Sequence, residues 1–312
     1  MRAIRRILVA VSELRPARQA PLALAARIAR GCGAELELFH SLSAPVYAET
    51  LLGGNRTLPA YAREAHEQAT ARLERLAESL RGPQLRVTVH TDWDYPPFEA
   101  IVRRALSTRA GLIVAARRGH HRFRALMGYT DWELLRASPV PVLLTRSRRA
   151  DRRHKVLAAV DPRHTHAKPA ALDRQIVSLA ATVAAALPAP VQLLHVVEAW
   201  FPTTPASVLR RDARGALRIL GESCGLPTAR RHLVSGSAAV EIPRAARRLR
   251  ASLLVMGDMS RRGLQRWFVG DTAERIVDEL RCDVLIVKPP GFKSRIARRR
   301  RGMYVLANLP MA

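Results

Sequence analysis

The residues best suited to chemistry lie at one turn in the second half of the chain. The apolar run Leu253-Leu254-Val255-Met256 stops at Gly257. The chain then passes Ser260, Arg261, Arg262, Gly263 and Arg266 before reaching Gly270-Asp271-Thr272. Glycines let backbone N–H groups approach phosphate oxygens closely. A helix starting after such a turn adds its partial positive end, and a hydroxyl at its start can cap the backbone or donate to a phosphate. Arg261, Arg262 and Arg266 can neutralise an anion. Asp271 opposes one, strongly if the site is dry and weakly if it is wet. Asp271 also makes a good helix N-cap, with Glu274 three residues on as its capping-box partner, and this structural role is the one expected of it.

The remaining candidates are weaker. Asp161 follows the apolar run Val156–Val160, with His164 and His166 close behind. The residues between add no further carboxylate, so no metal is expected there. His40 and His195 end matching apolar runs, as packed, backbone-bonded histidines or as cleft lining. Cys32, Cys224 and Cys282 are scattered and odd in number, without zinc or redox spacing, and read as buried free thiols. No Ser-His-Asp order and no paired-carboxylate site stands out, so no catalytic residue is assigned. Trp93, Trp132, Trp200 and Trp267 read as packing residues or interface anchors rather than a stacking platform, since basic residues do not interleave with aromatics as in single-strand binders.

The elements that would hold these residues occur twice. Ile7–Val11 with Ser12 corresponds to Val156–Val160 with Asp161. Glu35–His40 corresponds to Val191–His195, and Gly128–Thr130 to Gly270–Thr272. Short apolar runs alternate with amphipathic stretches, which implies βαβ units and a parallel sheet. In the first half, strands are expected near 5–11, 34–40, 84–90, 111–116 and 141–146, with helices near 16–31, 59–81, 96–108 and 129–137. In the second half, strands are expected near 154–160, 190–197, 229–234, 252–257 and 283–288. Its helices are expected near 169–187, 205–223, 238–249 and 270–280. Ligands on such sheets bind beyond the carboxyl ends of the strands, where strand order reverses.

Composition sets the outer bounds. The chain has 312 residues, 48% of them apolar, and a formal net charge of +26. That suits two domains with their own cores. Only Lys155, Lys168, Lys288 and Lys293 are lysine. An arginine excess spread over nearly every helix reads as a solvated basic surface rather than a nucleic-acid footprint. No run is long enough for a membrane span or a signal-peptide core, so a cytoplasmic protein is expected.

The turn from Gly257 to Glu274, together with its degenerate counterpart in the first half, resembles the universal stress protein family. Thr130–Leu135 and Pro96–Ile101 are similar to the tandem, E-type branch. The resemblance implies two tandem doubly wound α/β domains with parallel, five-stranded sheets of the HUP, or adenine nucleotide alpha hydrolase-like, type. It also implies pairing of the two domains through their last strands. Members that bind ATP use this turn for ribose and phosphates, and an aspartate after the first strand for adenine. Here Asp161, Gly257 and Gly270 match that pattern, Ser260 replaces the middle glycine and Asp271 replaces the Ser/Thr. In the first half Ser12 replaces the aspartate, Ala116 the first glycine and Tyr129 the hydroxyl residue, so no ATP is expected there.

The expected organisation is a first domain over 1–147, a second over 153–290, and a mobile basic tail over 291–312. The expected function is non-enzymatic stress adaptation, with a nucleotide or other small anionic ligand held in the second domain by Asp161, Gly257, Arg261, Gly270, Asp271 and Thr272. No cofactor is fixed; ATP or a related nucleotide is the candidate. The alternatives are a slow ATP-hydrolysing switch and a basic protein associated with nucleic acid. A homodimer is left open, and no membrane partner is expected.

Overall fold

The structure is a computed structural model. It describes residues 4–14, 20–42, 46–47, 58–117, 130–146, 154–164, 169–198, 205–257, 271–300, 302 and 305–306. The two glycine turns, 118–129 and 258–270, lie outside the described residues. The chain divides into two compact units, Ile4–Val140 with Ser294–Ala312, and Pro141–Lys293.

The first unit contains β1 (Arg6–Ala10), β2 (Glu35–Leu42), β3 (Val46–Tyr47), β4 (Val87–Trp93) and β5 (Leu112–Ala116). Its main strands run parallel in the order β4-β2-β1-β5. The helices are α1 (Ala20–Cys32), α2 (Leu58–Glu78), α3 (Pro97–Ser107) and α4 (Thr130–Ala137). Ile7, Leu8 and Val9 are fully buried at successive positions, as are Leu112, Ile113 and Val114. Such strands need helices on both faces. Helix α1 supplies one cover by burying Leu22, Ala25, Ala26, Ile28 and Ala29, an apolar stripe at helical spacing. It stops at Gly33, whose φ of 63° is the left-handed conformation that glycine adopts without steric cost. The Gly33 N–H donates to the Arg30 carbonyl and the Ala34 N–H to that of Ala29, the two bonds of a Schellman motif.

The second unit contains β6 (Val142–Thr145), β7 (Val156–Ala159), β8 (Val191–Val197), β9 (Arg231–Ser235), β10 (Leu253–Gly257) and β11 (Asp283–Val287). The order is β6-β11-β10-β7-β8-β9, parallel except that β6 runs antiparallel to β11. The helices are α5 (Ala170–Ala186), α6 (Ala206–Ser223), α7 (Ala238–Arg248) and α8 (Asp271–Glu279). The β6–β11 pair is locked at one end by Arg146, whose N–H donates to Asp283 and whose guanidinium donates to the Leu280 carbonyl. Among the described residues, no helix is long and apolar enough to cross a membrane.

The fold class is that expected from the sequence, and one strand boundary differs. The third strand of the first half was expected near 84–90, but β4 begins at Val87. Gly82 and Leu85 are bridged as a tight turn, which holds the preceding residues out of the sheet. The compact units divide between Val140 and Pro141 and again between Lys293 and Ser294. Strand β6 groups with the second unit because it pairs with β11.

The segment read from the sequence as a tail groups with the first unit from Ser294 onward. Arg103 on α3 holds Asp94 through two bonds (2.7 and 2.8 Å) and Glu99 through one (2.9 Å). It also donates to the Ala297 carbonyl at 3.2 Å. Arg300 pairs with Asp92 at 2.8 Å, and β12 (Val305–Leu306) lies parallel to β3.

These contacts differ in weight. Arg103 and Asp94 are almost fully buried, so Arg103→Met strands carboxylates without their cation and is expected to cost about 3–5 kcal/mol. The Arg300–Asp92 pair is largely exposed on the arginine side. Truncation before Ser294 should therefore cost only about 1 kcal/mol and lower the thermal midpoint by roughly 2–4 °C. Thermal denaturation of both variants checks the order; equal midpoints would contradict it.

Candidate functional site

Parallel register brings the carboxyl ends of neighbouring strands together in each unit. Ala10 on β1 faces Ala115 on β5, and Ala159 on β7 faces Met256 on β10. Strands β2 and β8 pair with the opposite edges of β1 and β7. Strand order therefore reverses beside β1 and beside β7, where α/β sheets form their ligand crevices.

The same clamp is built at both places. The His40 ring donates from Nδ1 to the Val11 carbonyl at 2.7 Å, and the His195 ring donates from Nδ1 to that of Val160 at 3.0 Å. Each bond fixes the neutral tautomer and leaves Nε2 as an acceptor. Burial pushes both imidazoles below their ordinary pKa. The Val11 bond offsets this in part at His40, and the Asp161 charge and the Val160 bond do so at His195.

In the second unit Asp161 sits just beyond β7 and is 6% exposed. Its N–H donates to Oδ1 of Asp173, in the first turn of α5, at 3.1 Å. Its carboxylate lies 4.0 Å from Nδ1 of His195, too far for a second hydrogen bond from a nitrogen already committed to Val160. His164 approaches Asp173 at 3.9 Å. Gly257 ends β10 under α5. A Cβ there would stand 2.8 Å from Leu172 and 3.2 Å from Ile176, so the close helix contact itself favours glycine.

In the first unit the crevice is a cavity of about 390 Å³. Its apolar walls include Val11, Phe39, Leu42, Ile101 and Leu134, and among the described residues its polar lining is Ser12, His40, Ser41 and Asp131. Ser41 is committed to the Asp94 carbonyl at 2.7 Å, tying the end of β2 to the Arg103 network that anchors α3. Oδ1 of Asp131 accepts the Trp132 N–H at 3.2 Å.

The sequence model described as "Universal stress protein family" matches residues 3–146 and again 152–288. The chain belongs to the universal stress protein family. Among curated relatives, Universal stress protein E of Escherichia coli K12 is 29% identical over 245 residues, covering 73% of this chain and 77% of that protein. The homolog of Haemophilus influenzae is 23% identical over 247 residues, covering 72% and 79%. Among solved structures, a putative universal stress protein from Pseudomonas aeruginosa UCBPP-PA14 superposes with a TM-score of 0.72 at 28% identity, covering 92% of this chain and 94% of that one. A universal stress protein from Archaeoglobus fulgidus shares the fold, with a TM-score of 0.64 at 18% identity and coverage of 91% and 96%. Membership in this family carries a stress-response role.

Of the six expected ligand residues, Asp161 and Gly257 end adjacent strands of one crevice. Arg261 and Gly270 lie outside the described residues. Asp271 and Thr272 open α8, and only their backbone is described. His166, from the weighed metal cluster, also lies outside them. Among the described residues no group of three or more His, Cys, Asp or Glu is placed to hold a metal ion. Sequence reasoning missed Asp173 and the first-unit cavity. The paired histidines were the available signal for the cavity, because they mark the same strand end twice.

The depressed imidazoles give a signed pH effect. An unfolded histidine titrates near 6.5 and takes up a proton before either clamp does. The clamps therefore give full stability above about pH 6.5 and lose it as pH falls toward their folded values. The thermal midpoint should fall as pH drops from about 7 to about 5. The double variant His40→Asn with His195→Asn should show a shallower fall in calorimetric scans.

Proposed function

We propose that this chain is a non-enzymatic stress-response protein whose second repeat holds a small anionic ligand, with ATP or a related nucleotide the best fit. The observation that carries this reading is the placement of Asp161, buried at the strand-order reversal beside Gly257 and held there by Asp173. A carboxylate so placed can accept the exocyclic amine of adenine, the role the family resemblance gives it. Gly257, Gly270 and Thr272 would then offer backbone and hydroxyl donors to phosphates, with Arg261 supplying positive charge. Asp271 limits the affinity, because its charge stands where a hydroxyl residue would assist. With no nucleophile, base and orienting group assigned, the ligand is retained rather than turned over.

Titration calorimetry of the full chain with ATP and ADP tests this. Binding should be saturable, at least tenfold weaker in Asp161→Ala and tighter in Asp271→Ser. The ATP should be recovered unchanged. No heat at millimolar ATP, or release of ADP above the protein-free rate, would overturn the reading.

A further inference from the structure

The C-terminal segment meets the first unit beside a titratable group. Arg300 donates to Oδ1 of Asp92 at 2.9 Å and lies 2.8 Å from its Oδ2. Asp92 follows His90 by two residues on β4, so both side chains leave the same face of the sheet. Nε2 of His90 lies 3.7 Å from Oδ2 of Asp92, too far for a hydrogen bond. That nitrogen is buried and has no hydrogen-bond partner among the described residues. We propose that protonation of His90 releases the C-terminal segment, residues 294–300, from the first unit.

The charges around His90 set the direction. Register places Phe39 of β2 opposite His90, and the two rings stack with centroids 6.0 Å apart. Glu37 leaves the same face of β2 and is buried, and Arg104 of α3 donates to its Oε1 at 2.6 Å. Asp94 and Glu99, further along, are held by Arg103. Helix α2 meets β4 on the opposite face, where Thr70 bonds Thr91, so its charges do not face His90. Among the described residues, two arginines, Arg104 and Arg300, and two carboxylates, Glu37 and Asp92, thus surround a neutral imidazole. A proton on His90 leaves one positive charge in excess. Arg104 is fixed to Glu37 by its helix, whereas Arg300 is on a chain end that can leave.

Linkage gives the same sign. Burial holds the His90 imidazole below its ordinary pKa, and the Arg104 charge lowers it further. Asp92 and Glu37 oppose this, and Arg300 adds a smaller lowering. Release removes the Arg300 charge, so the released state binds the proton more tightly. Proton binding must then favour release by the same factor. The segment is held most firmly above the released-state pKa and loosens as pH falls toward the docked-state value. After release, the new Nε2–H can turn to the carboxylate that Arg300 vacates. The other contacts are the Arg103 bond to the Ala297 carbonyl and the two-residue pairing of β12 with β3. Neither involves a group that titrates near neutral pH. Arg300 is largely exposed, so water and salt limit the effect to a few-fold.

Residues 294–301 include five arginines, so trypsin reports release. Cleavage of the full chain within this stretch is followed at about pH 7.5 and about pH 6, each rate divided by that of a free peptide of the same sequence. When opening is fast relative to cleavage, the ratio tracks the released population. It should rise about threefold on acidification, equivalent to about half a pH unit of linkage. His90→Gln should abolish the rise. Arg300→Gln should raise the pKa of His90, read from its imidazole Cε1–H resonance, which is identified by its loss in His90→Gln. Should His90→Gln fail to fold, the Arg300→Gln shift decides alone. No rise in the parent, an equal rise in a folded His90→Gln, or a His90 pKa unmoved by Arg300→Gln would overturn the proposal.

Discussion

Strands that are apolar at successive positions must be shielded from water on both faces, and the remaining architecture follows from that. Val156-Leu157-Ala158 and Leu253-Leu254-Val255 leave no polar face in the second unit, just as Ile7-Leu8-Val9 leave none in the first. Helical crossovers are the means of covering both faces of a parallel sheet. Winding them outward from β1 and from β7 produces a reversal of strand order beside each. The crevices are therefore consequences of core burial, and the residues at their edges were left free to diverge.

The two crevices differ at identifiable positions. The histidine–carbonyl clamp persists in both repeats, joining the second strand to the residue after the first. Around it, charge has been redistributed. The second repeat places its carboxylate just beyond β7, and its sequence after β10 is rich in glycine and arginine. The first repeat places its carboxylate on α4, facing the cavity, and lines the strand ends with Ser12 and Ala116. The same frame thus carries different residues at the two strand ends.

Most of the frame was legible in the sequence because it is encoded locally. Apolar runs, their terminal histidines and the glycine turns each lie within a few residues, and their repetition disclosed the doubling. What escaped was non-local. The Asp161–Asp173 bond spans a turn whose geometry no spacing rule specifies. Arg103 finds Asp94 nearby but the Ala297 carbonyl 194 residues away, so the docking of the C-terminal segment could not be read from its basic composition. The first-repeat cavity escaped for a different reason: losing a phosphate pattern says nothing of the space left behind.

The account rests on one repeat being chemically fit for an anion and the other not. Native mass spectrometry of the full chain in excess ATP tests this directly, because it counts occupied sites. One nucleotide per chain, absent in Asp161→Ala, is the result expected. Two nucleotides per chain, or a single one that survives Asp161→Ala, would contradict it.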